Sequence, residues 1–181
     1  MLRTDKPIYK VILVLNLLFI VAGIGLSVVG ITNPEADIFK IISRIEAIAC
    51  LVFAAFYIIS GYTKDAAKYY KVYGALLAVK YLAGILSGST KSGTPFGIMM
   101  IALSLVITLV LLLSENLGKT KSFVLCGLLV IVRIVLLIYS VAENNIPTIF
   151  VLSNIVNIDL ACLYGIMTYA KYLDKTERGT K

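Results

Sequence analysis

Residues 96–114 read FGIMMIALSLVITLVLLLS, nineteen positions without a charge. As a helix this run is roughly 30 Å long, the thickness of a bilayer's hydrocarbon core. Working outward, five more runs have a similar length and character: 8–30, 41–62, 69–87, 122–142 and 147–170. The segments between them are short, so no soluble domain fits there. Lipid offers backbone groups no partner, so each span should be helical. The polar/apolar alternation of a membrane barrel is absent. The first run is too long for the core of a signal peptide, and no Ala-x-Ala-like site follows it, which predicts a retained helix. The expected fold is an all-α integral membrane protein, a six-helix transmembrane bundle forming one domain over 1–181.

Composition agrees. Of 181 residues, 60% are hydrophobic and 15% charged, and the formal net charge is +7. Mean hydropathy is +0.96. A soluble domain has roughly 45–50% apolar residues, and a disordered chain fewer. A nucleic-acid binder is basic but not this apolar, so no nucleic-acid partner is expected.

The basic residues predict orientation. One side of the six spans would hold Arg3, Lys6, Lys10, Lys64, Lys68, Lys71, Lys119, Lys121, Lys171, Lys175, Arg178 and Lys181, the other only Lys40, Arg44 and Lys91. Positive charge collects on the cytoplasmic side, so both termini should be cytoplasmic, in a plasma (inner) membrane. Tyr9, Tyr62, Tyr69, Tyr70, Tyr73, Tyr169 and Tyr172 would form an aromatic belt at that interface.

The chain also repeats itself. Tyr9-Lys10-Val11 recurs as Tyr70-Lys71-Val72, and at the same offset Leu15 matches Leu76 and Ala22-Gly23-Ile24 matches Ala83-Gly84-Ile85. Pro34 and Pro95 share that offset. At a second offset Lys68, Gly74, Leu76, Val79, Ile85 and Ser87 match Lys121, Gly127, Leu129, Val132, Ile138 and Ser140, and Lys80 falls on Arg133. These relations predict three tandem helical hairpins about an axis along the membrane normal. Chance similarity in an aliphatic-rich chain is the competing explanation.

Every span carries a small or polar line at helical spacing. Asn16, Ile20, Gly23 and Ser27 line the first, Glu46, Cys50, Phe53 and Tyr57 the second, and Tyr73, Leu77, Lys80 and Gly84 the third. Ser104 and Thr108 mark the fourth, and Cys126, Arg133 and Ser140 the fifth. The sixth has two lines, one with Asn154, Asn157, Ala161 and Thr168, the other with Asp159 and Cys162. Such lines usually serve helix packing. A helix polar on two sides should be the most enclosed.

Four charges fall inside spans: Glu46, Lys80, Arg133 and Asp159. Each costs at least ~2.5–3.5 kcal/mol at the bilayer centre, so they should face inward and pair. Depths of roughly 8 Å for Glu46, 10 Å for Lys80, 14 Å for Arg133 and 18 Å for Asp159 below the outer end suggest Lys80 with Glu46 and Arg133 with Asp159. As locks, such pairs fix helix register. As a site, Lys80 and Arg133 would bind an anionic group near the midplane, with Asn154 and Asn157 beside them and Glu46 and Asp159 as counter-ions or proton carriers.

The chain has no His, no Cys-x-x-Cys pair and no phosphate loop or dinucleotide fingerprint. No enzyme activity, cofactor or metal is expected. The leading expectation is a small membrane transport protein, or the membrane subunit of a transporter, binding a small polar or anionic solute at an intramembrane site. Its partners would be the lipid bilayer, an energising subunit if transport is ATP-driven, and a second copy if the apolar outer face serves one. The alternative is a non-transporting accessory or assembly protein with structural ion pairs.

Overall fold

The computed structural model describes residues 7–32, 38–59, 66–86, 95–114, 117–142 and 148–179. These residues are all-helical apart from a few connecting positions, in six helices: α1 (Pro7–Ile31), α2 (Ile38–Ile59), α3 (Ala66–Leu86), α4 (Pro95–Leu113), α5 (Lys119–Ala142) and α6 (Thr148–Gly179). Pro7 and Pro95 open α1 and α4, where a missing N–H costs nothing. Five helices match the expected runs to within about three residues. The sixth runs past 170 to Gly179, because hydropathy marks an apolar stretch and not where helical hydrogen bonding stops. Residues 60–62, Ser87 and Pro147 of the expected spans lie outside the described residues, as do Arg3, Lys6, Lys64, Lys91 and Pro34.

Among the described residues, three segments are long and apolar enough to cross a membrane: Val14–Ile31 of α1, Pro95–Leu113 (α4) and Lys119–Ala142 (α5). Each of the other three helices interrupts its apolar run with polar side chains. α2 carries Lys40, Arg44 and Glu46, α3 carries Lys68, Lys71 and Lys80, and α6 carries Asn154, Asn157 and Asp159.

Contacts follow chain order from α1 to α6, and α6 returns to α1. α3 and α6 also touch across the middle, and α6 reaches α2. No other helices make backbone-level contact among the described residues. The helices therefore stand as two rows of three, with α3 and α6 as the central pair. The sequential ring suits three hairpins, but a three-fold arrangement would close all three diagonals or none. Here only the α3–α6 diagonal closes.

Small residues and tyrosines explain that closure. A Cβ on Gly74 of α3 would lie 2.5 Å from the Tyr164 hydroxyl of α6, so a hydrogen at this position lets the two helices approach. Tyr164 stacks on Tyr70, with centroids 5.0 Å apart, and tilts against Tyr73 at 5.9 Å. Tyr73 donates a hydrogen bond to the Leu160 carbonyl of α6 at 3.0 Å. Tyr70 donates to the Leu111 carbonyl of α4. Tyr70 and Tyr73 are thus core residues and not members of a surface belt. Buried hydroxyls need partners, and carbonyls of neighbouring helices supply them. Tyr169 is exposed, as a belt residue would be, and Tyr69 and Tyr172 are half-buried. The Tyr9 and Tyr62 side chains lie outside the described residues.

Gly23 of α1 has close neighbours of its own. A Cβ there would meet Leu51 of α2 and Val156 of α6, both at 2.9 Å. Its repeat partner Gly84 faces Ile101 of α4 at 3.9 Å, so each glycine turns toward the second helix of its own hairpin. Gly74 and Gly127 differ, since a Cβ on Gly127 meets nothing within 4 Å.

Candidate functional site

The polar lines turn inward along most of their length. Ile20, Gly23 and Ser27 of α1, Cys50 and Tyr57 of α2, and Ser104 and Thr108 of α4 are buried. Cys126, Arg133 and Ser140 of α5 are buried as well, as are Asn154, Ala161 and Thr168 of α6. Several hydroxyls bond locally: Ser104 donates to the Met100 carbonyl at 2.9 Å, and Thr108 to that of Ser104 at 2.8 Å. The second line of α6 behaves differently. Cys162 is exposed and Asp159 only half-buried, so α6 touches four helices yet keeps one side open.

Lys80 and Arg133 are both buried, at 8% and 2% exposure. They meet at one ring, that of Tyr81, itself buried. The Arg133 guanidinium carbon lies 4.2 Å from the ring centroid and the Lys80 ammonium 5.4 Å. Arg133 extends from α5 to reach this α3 residue, although the two helices make no backbone-level contact. A cation over an aromatic face gains about 2 kcal/mol when desolvated, less than the cost of burying it unpaired.

The expected ion pairs do not form. Lys80 Nζ donates to the Asn157 side-chain oxygen and not to Glu46. Arg133 Nε and Nη2 are buried without a hydrogen-bond partner, so Asp159 does not hold them. One oxygen each of Glu46 and Asp159 is likewise buried and unpartnered. The physical reason is direction. Tyr73, Leu77 and Lys80 share the α3 face that meets α6, which aims Lys80 at Asn157, whereas Asp159 lies on the other polar line of α6.

Of the expected site residues, Lys80 and Arg133 therefore meet at Tyr81, and Asn157 joins them through Lys80. Asn154, one turn from Asn157, donates to the Ser140 hydroxyl at 3.1 Å, and Ser140 donates to the Leu136 carbonyl at 2.7 Å. The recorded polar contacts do not bring Glu46 and Asp159 into this group. Tyr81 is the member that the polar lines missed. Its signal was its position, four residues after Leu77 on the broad inward face of α3.

An amide oxygen solvates an ammonium without neutralising it. The site thus holds two basic side chains, with no carboxylate bonded to either among the described residues. No group of three His, Cys, Asp or Glu side chains that could hold a metal occurs among the described residues. Cys50, Cys126 and Cys162 are free thiols. Comparison with protein-family models, curated proteins and solved structures finds no match.

Proposed function

We propose that the chain is a six-span integral membrane protein of the plasma (inner) membrane, with both termini cytoplasmic. In this reading it is a transport protein, or the membrane subunit of one, that holds a small anionic solute at the Lys80–Arg133 site. Membrane residence is supported by the three apolar segments and by large apolar side chains exposed around the bundle, among them Val21, Phe56, Leu113 and Val124. Soluble monomers rarely expose apolar patches larger than a few hundred Å². The more polar α3 and α6 stand at the centre, where lipid contact is least.

One observation carries the solute reading: a buried guanidinium with two unpartnered nitrogens shares an aromatic ring with a buried ammonium. Intramembrane charges of this kind mark substrate and ion pathways. Glu46 and Asp159 are the candidate proton carriers. An accessory protein locked by ion pairs has weaker support, since neither expected lock joins its partners.

The test is uptake of radiolabelled small anions into liposomes containing the full chain. At least one anion should be taken up saturably. Lys80→Met and Arg133→Met should each reduce that uptake at least ten-fold while helix content and elution volume stay unchanged. Uptake no greater than in empty liposomes, or unchanged in both variants, rejects the reading.

A further inference from the structure

The two unpartnered atoms of Arg133 are not a random pair. Nη2 is the terminal nitrogen on the same side of the guanidinium as the Nε–H bond. Nε and Nη2 therefore present two nearly parallel N–H bonds along one edge of the plane. That edge matches the two oxygens of a carboxylate, the bidentate geometry by which arginine binds carboxylates and phosphates. Leaving both donors buried and empty is costly, since each lost bond to a charged group is worth more than a neutral one.

The surroundings narrow the ligand further. The Tyr81 ring lies against the guanidinium, with Cζ at 4.2 Å from its centroid, so that side of the group is closed to an incoming ligand. The Tyr81 hydroxyl is also buried, with Arg133 as its polar neighbour and no hydrogen bond of good geometry. Lys80 spends one N–H on Asn157 and keeps two more. A carboxylate has a flat two-oxygen end and needs few donors. A phosphoryl or sulfonyl group is tetrahedral, and its third oxygen projects out of the guanidinium plane, where it needs a further donor.

We propose that the Nε–Nη2 edge of Arg133, with the Lys80 ammonium and the Tyr81 hydroxyl, is a receptor for a carboxylate group. This deepens the proposed function and rests on it. The carboxylate belongs to a small soluble organic acid or to a free fatty acid reaching the bundle from the bilayer; the chemistry recognised is the same.

The experiment holds the tail constant and changes the head. The full chain in detergent is titrated calorimetrically with butyrate, propylphosphonate, propanesulfonate and neutral butyramide, and separately with palmitate. Butyrate or palmitate should bind, with butyramide at least ten-fold weaker than butyrate. Binding by butyrate points to a soluble acid, and binding by palmitate alone to a lipid-derived one; both support the proposal. In the butyrate case the phosphonate and sulfonate should also bind at least ten-fold more weakly. In the palmitate case dodecylphosphonate and dodecyl sulfate take their place, with the same expectation. Arg133→Lys keeps the charge but lacks the edge, and should lose ten-fold or more in carboxylate affinity. Tyr81→Phe should lose a few-fold.

The failures separate. If no head group binds, the anion site itself is wrong, and the proposed function falls with the carboxylate. If phosphonate or sulfonate binds as tightly as carboxylate, the anion site stands and the carboxylate assignment is overturned. Full carboxylate affinity in a folded Arg133→Lys overturns the role of the edge. The head-group series uses the unmodified chain, so it decides the matter even if a variant fails to fold.

Discussion

The Lys80 ammonium is hydrogen-bonded to the amide oxygen of Asn157, a neutral partner on the opposite central helix. The amide solvates the Lys80 nitrogen without bringing a counter-charge. Replacing the amide with a carboxylate should therefore alter stability and binding in opposite directions. Asn157→Asp is expected to stabilise the chain by about 1–2 kcal/mol through a charge-assisted bond. It should also weaken anion binding at least ten-fold by neutralising the site. Thermal melts and titration of the same preparation measure both, and parallel changes in the two would contradict the arrangement.

Glu46 and Lys80 are not bonded to each other. A charge swap should consequently fail to rescue. Lys80→Glu and Glu46→Lys are each expected to destabilise, and the double variant should sit within about 0.5 kcal/mol of their sum. A double variant as stable as the parent would show that the two charges are coupled after all.

Gly74 and Gly127 occupy matching positions in the repeat but not matching surroundings. Gly74→Ala places a methyl 2.5 Å from the Tyr164 hydroxyl and 3.1 Å from its ring carbon. It should cost about 1–3 kcal/mol through overpacking. Gly127→Ala meets open space and should be neutral or stabilising by up to ~1 kcal/mol, the helix-propensity gain. Melting curves of the two variants check the contrast.

The proposed orientation has a direct readout. In a background with Cys50, Cys126 and Cys162 replaced by alanine, Lys91→Cys should react with an impermeant maleimide applied to intact cells. Lys181→Cys should react only after permeabilisation. The reverse pattern would invert the topology.

Helix positions were legible in the sequence because apolar length is a strong signal, as α4 shows: the expected 96–114 became Pro95–Leu113. The inward lines were legible for the same reason, a simple period. Partner choice was not. Depth along a span suggested Lys80 with Glu46 and Arg133 with Asp159, but a bond also depends on helix rotation, and α3 turns Lys80 toward α6. Tyr70 and Tyr73 were expected in an interfacial belt because tyrosine is common there. Their burial depended on carbonyl partners on α4 and α6, which local sequence does not reveal. Arg133, Lys80 and Asn157 could be singled out by residue type, whereas Tyr81 emerged only when three helices were assembled.

The last described turn of α4 is completed by other helices. Tyr70 of α3 donates to the Leu111 carbonyl, and Tyr172 of α6 donates to the Leu117 carbonyl just beyond the helix while Ser122 of α5 lies 2.8 Å from the same phenol oxygen. One of these donors is synthesised before α4 and the other after it. The segment joining α4 to α5 thus cannot reach its final hydrogen bonding while the ribosome is still making the middle of the chain. It must wait for the final helix, so truncation before Tyr172 would leave a junction fifty-five residues upstream unfinished.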